Sequence, residues 1–383
     1  MLIFPAVLLL LQREYGLGFA ALGLVANVGL FGYGLGALPA GILADRWGGT
    51  RILAVWLVGG SLACAAMALS AGPTSLAAGY ALLGLFASLH HPAGSGVLTL
   101  LRHVPGQQVG RAFGLSGLLG NLGLAASPIV SAMVGATWGW RAAFWVGAVP
   151  GLLLGPALWR YPLPRPAAHG HAGGSRPLAV SGAWRALTLP LLLLFALETL
   201  MGFIFQGFST FFPAHLAERA QIPGLTAAHV TRGGTLASLA LLFGGGGHLL
   251  AGRLMGSRHR ATFFRAIMAL CMCCLFAMAT VTGPALVLVS IAMTLTYFAL
   301  GTMSNTFIAA ETPPHLASTS FGVTFTLAFC IGSLAAATMG LVAERAGLAY
   351  VFAVLGLVAV GSLALVVCFT RSAAKSLPSS PTR

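Results

Sequence analysis

"GILADRWGGTR", residues 41–51, sets Asp45, Arg46 and Arg51 around a glycine-rich turn in a chain that otherwise avoids charge. Only 7% of its 383 residues are charged, 58% are hydrophobic, and the mean hydropathy is +0.92. A soluble domain carries about 25% charged residues, so an ordinary globular protein is excluded. Residues 32–44, 76–101, 189–212 and 351–370 lie in apolar stretches that approach or exceed the ~20 residues needed to cross a bilayer. No water is present in the bilayer core to satisfy a free backbone, so repeated spans must be helices. The ten-residue alternation of an outer-membrane barrel is absent.

Working outward from the turn, the apolar pattern predicts helices over 1–12, 19–40, 52–70, 75–101, 111–135, 141–160, 188–212, 230–250, 262–281, 284–309, 319–342 and 350–371. The sixth and seventh are separated by a segment rich in Pro, Gly, Ala and Arg. It reads as a cytoplasmic linker, residues 161–187, between an N-terminal six-helix bundle (1–160) and a C-terminal one (188–371), with a cytoplasmic tail at 372–383. The halves resemble each other. "ILADRWGGTR" from Ile42 aligns with "LLAGRLMGSR" from Leu249, keeping Arg46/Arg253 and Arg51/Arg258. "IFPA" at Ile3 meets "FFPA" at Phe211, and Phe144 meets Phe352, both at an offset of 208. A duplicated helical bundle with weak internal repeats is a hallmark of secondary transporters.

The net charge of +14 invites a nucleic-acid partner, and its distribution argues against one. With residues 41–51 placed in the cytoplasm and loops alternating, fifteen of the 20 Lys and Arg residues fall on the cytoplasmic side. Only Arg13, Arg141, Arg219, Arg232 and Arg345 fall on the other. That is the positive-inside bias of a membrane protein. All six cysteines lie in apolar segments without a His or second Cys pair at ligand spacing, so no metal and no cofactor is expected.

The opening stretch resembles motif A of the major facilitator superfamily: Gly41-x-x-x-Asp45-Arg46-x-Gly48-Gly49-x-Arg51, with a degenerate copy at Arg253. Together with twelve helices and a central linker, the resemblance covers essentially the whole chain. It implies an all-α membrane protein of two pseudo-symmetric six-helix bundles that rock about a central substrate site. "FGLSGLLGNLGLAASPIVSA" in the fifth helix is similar to the antiporter motif C through Gly114, Gly123 and Pro128. The stretch from Tyr15 to Arg46, with "SLHHPAGS" in the fourth helix, is similar to the fosmidomycin-resistance branch of drug efflux proteins.

These residues have physical roles to play. A glycine turn lets the second and third helices approach closely, and Asp45 can then face the positive N-terminus of a neighbouring helix. The resemblance implies that this is the eleventh, beginning near Ser318. Gly41, Asp45, Arg46, Gly49, Arg51 and Arg253 are thus candidates for a conformational latch. In the fourth helix His91 shares a small, polar stripe with Gly84, Ser88 and Ser95, expected to face an aqueous cavity, while His90 falls with Phe86. Asn27, Asn121, Gln206 and Asn305 are further intramembrane polar groups, candidates for lining the cavity or for interhelical hydrogen bonds.

Glu198 is the one carboxylate in mid-helix; Glu14, Asp45, Glu218, Glu311 and Glu344 map to loops or helix ends. A charged carboxylate costs about 2.5 kcal/mol or more at that depth, so it is neutral or faces water, as a proton carrier would. The reading is a monomeric transporter of the bacterial cytoplasmic membrane, exporting a small organic compound in exchange for protons. Its partners are that substrate, protons and the lipid bilayer. Proton-coupled uptake is the rival within the class, and a non-transporting receptor or membrane-embedded enzyme is the rival outside it.

The repeat carries one further expectation. About twenty residues of helix precede "FFPA" in the second half and only two precede "IFPA" in the first. The first helix therefore reads as truncated, and the reading frame is expected to continue upstream through about 15 or more largely apolar residues. Genomic sequence checks this: a stop codon immediately before Met1 overturns it.

Overall fold

The computed structural model describes residues 1–94, 109–160, 188–222, 229–311 and 317–376. Within these, the side chains of 42, 45–46, 109–118, 309, 317–321 and 373–376 lie outside the description. The linker at 161–187 and most of the expected tail are likewise outside the described residues.

The described residues form twelve helices in the expected order. They are α1 (Ile3–Tyr15), α2 (Phe19–Trp47), α3 (Gly49–Ala68), α4 (Pro73–Ala87), α5 (Val109–Trp138) and α6 (Trp140–Arg160) in the first half. The second half has α7 (Leu189–Arg219), α8 (His229–Met255), α9 (Arg260–Thr280), α10 (Gly283–Glu311), α11 and α12 (Leu348–Ser376). Helix α11 is composite: Ala317–Thr326 in α geometry, a π-helical stretch Leu327–Ile331, then Leu334–Ala346. Ten of these segments are long and apolar enough to cross a membrane. Several boundaries differ from the sequence reading, and α2, α7 and α8 run on to Trp47, Arg219 and Met255. Helix α4 is interrupted by a turn at residues 88–89 ahead of Pro92, and α12 runs through the first residues expected in the tail.

Local signals explain the ends. Thr188 Oγ1 accepts a hydrogen bond from the Leu191 N–H at 3.4 Å, and Pro190 supplies a helix-compatible φ in the first turn of α7. Gly48, at φ +91°, makes the turn from α2 to α3 that a side chain would strain. Gly139 and Gly347, at φ +84° and +99°, occupy the same place in the two halves, between α5 and α6 and between α11 and α12. Their separation is the 208-residue offset of the sequence repeat.

The packing repeats too. Within the halves α2 lies on α4 as α8 lies on α10, and α3 lies on α6 as α9 lies on α12. Phe144 and Phe352, matched by the repeat, are both fully buried. The halves meet along two seams, α2 against α11 and α5 against α8. At both seams glycine brings backbones into contact. A Cβ on Gly23 would lie 2.2 Å from the Ala336 carbonyl oxygen, and one on Gly340 would lie 2.5 Å from that of Phe19. On the other seam a Cβ on Gly234 would lie 2.6 Å from the Pro128 carbonyl.

The arginine-poor ends of the helices are taken as outer. At that end Glu344 of α11 reaches across the first seam, and its Oε2 accepts the Ala20 N–H at 2.8 Å. Further in, among the described residues, a Cβ on Gly34 would lie 2.5 Å from the Cys330 main-chain nitrogen. A Cβ on Gly322 would find only Leu38, at 3.7 Å. The outer end of the first half is tied separately: Glu14 pairs with Arg141 and accepts Trp140 Nε1–H at 2.6 Å, while Arg141 and Tyr15 each donate to the Ser70 carbonyl at 3.1 Å.

Glycine is required only where a neighbour is close, and that yields a paired prediction. A Cβ on Gly151 of α6 would lie 2.2 Å from Ser61 Oγ and 2.4 Å from the Leu57 carbonyl of α3, whereas one on Gly60 meets nothing within 4 Å. Gly151→Val should cost about 1–3 kcal/mol by overpacking. Gly60→Ala should be neutral or raise stability by up to about 1 kcal/mol through helix propensity. Thermal unfolding of the purified protein in detergent checks both signs.

Candidate functional site

Glu198 occupies the third turn of α7, a helix about 46 Å long at 1.5 Å per residue. Ser304 of α10 lies beside it, but the two are not aligned: Glu198 Oε1 and Ser304 Oγ are both buried without a hydrogen-bond partner. Tyr297, two helical turns from Ser304 on the same face of α10, carries its hydroxyl near the carboxylate and donates to the Met201 carbonyl at 3.1 Å. Its ring stacks on Phe205 of α7, with centroids 5.1 Å apart. A buried carboxyl group with a free oxygen is held at a cost of a few kcal/mol, which falls when the group takes up a proton or meets a donor.

The neighbouring stripe of α10 carries Phe298, Thr302 and Asn305, spaced to share one face. His248 of α8 packs on it, with Nδ1 2.6 Å from Thr302 Oγ1 and its ring 5.2 Å from that of Phe298. Asn305 is exposed. From the other half Asn121 of α5 lies against α8, its Nδ2 2.6 Å from where a Cβ on Gly245 would sit. Three helices of the second half and one of the first thus converge. Sequence reasoning missed His248. The signal was there, a single imidazole in "GGGGHLL" one residue before the degenerate motif copy, but its partner Thr302 is 54 residues away.

On the first half, His91 is exposed and stacks on Phe325 of α11 at 5.8 Å and 13°, so it faces the gap between halves. His90 points to α3, its ring tilted by 33° against that of Trp56 at 4.3 Å, with a buried Nδ1 that lacks a partner. The stripe assigned to His91 is corrected. Gly84 and Ser88 do not face water. A Cβ on Gly84 would lie 1.9 Å from the Gly29 carbonyl, and Ser88 Oγ lies 2.2 Å from where one on Gly36 would be. Both pack on α2, because the turn at 88–89 breaks the register between them and His91. Ser95 is outside the described residues.

A second aromatic row spans the gap: Tyr33 of α2 stacks on Phe329 of α11 at 4.2 Å, and Phe329 lies 6.4 Å from Phe325. Asn27, two turns outward on α2, has a buried Oδ1 without a partner. Gln206 is 2% exposed, and its main-chain carbonyl accepts Thr210 Oγ1 at 2.6 Å. Between α1, α5, α7 and α8 lies a void of about 10 Å³, bordered by Pro128, Phe205 and Leu241. It holds no more than a single water. A larger groove of about 510 Å³, lined by Val58, Leu62, Phe86 and Trp159, opens on the outside of the first half and shares no residue with this site.

The motif residues sit at the inner ends of their helices. Gly41 faces Pro92 of α4, where a Cβ would lie 3.8 Å away. Asp45 and Arg46 are in the last turn of α2, Gly49 begins α3, and Arg51 and Arg253 are exposed. The side chains of Asp45 and Arg46 lie outside the description. Gly114 is in the first turns of α5, Gly123 is open on one side, and Pro128 forms the α8 contact described above. Among the described residues no three of His, Cys, Asp and Glu come together as a metal site.

Residues 1–337 match the family model of the Major Facilitator Superfamily. The chain belongs to that superfamily. Its relatives are transporters, not enzymes. The niacin transporter of Acinetobacter baylyi is 32% identical over 142 residues, which cover 37% of this chain and 32% of that protein. The tetracenomycin C resistance and export protein of Streptomyces glaucescens is 28% identical over 143 residues, 37% of this chain and 26% of that protein. These alignments span about a third or less of the relatives' length. The crystal structure of a bacterial homologue of the human lysosomal transporter Spinster, in an inward-facing, unoccupied conformation, superposes with a TM-score of 0.77. That alignment covers 100% of this chain and 95% of the other, at 15% identity. The superfamily transporter is thus a multi-pass membrane protein with the two six-helix bundles expected from the motif.

Proposed function

We propose that this transporter exports a small aromatic compound in exchange for protons, with Glu198 as the proton-coupling residue. The observation that carries the reading is the half-buried Glu198 in the third turn of α7, whose buried Oε1 lies beside Ser304 without an aligned hydrogen bond. Protonated, it is a neutral group at little cost. Ionised, it must meet water or substrate. Exposure to one side and then the other turns that choice into vectorial proton movement, provided the halves rock.

The substrate-facing residues are Asn27, His91, Asn121, Gln206 and Asn305 from the sequence, joined by His248 and Thr302 from the packing. Between them stand two rows of rings, Phe205–Tyr297–Phe298 and Tyr33–Phe329–Phe325. Ring faces attract planar aromatic compounds by stacking, and His and Asn side chains supply a few hydrogen bonds to fix orientation. Niacin and tetracenomycin C, named for two relatives, are aromatic compounds, which supports the same class. The likeness to a resistance and export protein supports export. The likeness to a niacin transporter supports the rival, uptake on the same cavity.

The carrier works as a monomer in the bacterial cytoplasmic membrane, with residues 1–160 and 188–371 as the rocking bundles. Gly41, Asp45, Arg46, Gly49, Arg51 and Arg253 latch its inner side, Asp45 pairing with the N-terminus of α11. Of the fifth-helix motif Gly114, Gly123 and Pro128, it is Pro128 whose carbonyl meets Gly234 across the second seam.

Two substitutions test this in vesicles carrying an imposed pH gradient. Glu198→Gln keeps the shape of the protonated acid and removes its titration. It should abolish uphill transport and leave downhill exchange, whereas a variant that still concentrates substrate overturns the coupling role. The direction of wild-type flux relative to the gradient decides between export and uptake.

The second substitution, Asp45→Asn, should weaken an ion–dipole contact worth up to about 2 kcal/mol. Labelling of an inner-side cysteine should then increase while the protein remains inserted. An unchanged labelling pattern removes the latch.

A further inference from the structure

Glu344 has no part in the chemistry proposed above, yet it makes the one polar contact at the outer end of the α2–α11 seam among the described residues. It stands in the last turn of α11, and its Oε2 accepts the Ala20 N–H of α2 at 2.8 Å. Helix α2 begins at Phe19 with Gly18 as its N-cap, so Ala20 is the second residue of the helix and its N–H has no intrahelical acceptor. Gly18 itself has no side chain to cap the end. A Cβ there would lie 2.3 Å from Glu344 Oε2, so glycine leaves room for the carboxylate that belongs to the other half. The cap is thus supplied across the seam, 324 residues away in sequence.

We infer that Glu344 and Gly18 form an outer latch, a carboxylate of one bundle set on the positive helix end of the other, which holds the transporter closed on its outer side. The carboxylate gains from the free N–H groups and from the helix dipole only while α2 and α11 are together. Opening the outer side separates Gly23 from Ala336 and Gly340 from Phe19, and it removes the cap at the same time. A contact made in one state alone biases the equilibrium by its own worth. Asp45 at the inner end of α2 and Glu344 at its outer end then act in opposite senses on the same helix pair.

The test reads outward opening directly and needs no substrate, so its result is independent of the export and coupling assignments. Cys273, Cys330 and Cys368 are replaced, the buried Cys64, Cys271 and Cys274 are kept, and a reporter is introduced by Asn27→Cys on the seam beneath the latch. A membrane-impermeant maleimide is added outside intact cells and the labelling rate measured, which follows even a small outward-open population. Glu344→Ala should raise the rate about two- to five-fold, the range expected for one partly exposed carboxylate at a helix end. Glu344→Gln, which keeps an acceptor without the charge, should give a smaller rise. Gly18→Val, which leaves Glu344 in place and pushes its carboxylate aside, should match Glu344→Ala. An unchanged rate in both Glu344→Ala and Gly18→Val overturns the latch. So does a rise accompanied by labelling of the buried cysteines, which reports a loosened fold instead.

Discussion

Everything in this molecule depends on how closely two helices can approach when neither has side chain between them. In hydrocarbon the apolar effect gives helices little reason to associate, and packing between backbones carries more of the load. Gly23, Gly340 and Gly234 put a neighbour's carbonyl oxygen where a Cβ would otherwise be. They lie on the two seams between halves, so the same residues that hold the bundles together also set the distance over which any polar contact across the seam must act. Glu344 can reach Ala20 because Gly18, Gly23 and Gly340 let α2 and α11 lie so near.

Close glycine contacts also run inside the halves, as at Gly84 on the Gly29 carbonyl and Gly151 on Leu57, but there large buried rings such as Phe144 and Phe352 back them at the matched cores. Along the seams the contacts are small residues, a few polar pairs, such as the Ile129 N–H on Ser238 Oγ at 2.9 Å, and aromatic stacks that touch face to face. Such surfaces part without leaving large cavities. On the proposed function the half-buried rings and unpartnered polar groups line the gap once it opens, and the candidate site residues interleave with the seam residues along α2, α5, α8 and α11.

Much of this was legible from composition and repetition. Apolar runs gave twelve helices, and the copy of "ILADRWGGTR" at Leu249 gave the duplication that Gly139 and Gly347 repeat in their backbone angles. Glu198 stood out as the one carboxylate far from a helix end, and the structure leaves its Oε1 without a partner. What could not be read were pairings across the chain. His248 is marked out by Thr302, 54 residues away, and Glu344, by position a helix-end acid, caps Ala20, 324 residues away. The stripe through Gly84, Ser88 and His91 failed for a local reason, since it assumed a continuous helix where two residues turn. Periodicity carries a face only as far as the helix stays regular.

The π-helical stretch Leu327–Ile331 breaks regularity in a different way. There the Gly332 N–H reaches back five residues to Leu327 at 3.4 Å, so α11 holds one residue more per turn than an α-helix would. The stretch lies between the inner part of α11, where Phe325 meets His91, and the outer part, where Ala336 and Gly340 meet α2. Returning those bonds to the four-residue pattern would turn one part about 100° relative to the other, the angle of one residue. The outer part would then present a different row of side chains to α2, and the seam would lose its fit although neither bundle had moved as a body. One extra residue in α11 thus sets the angle at which its inner and outer faces meet the other half.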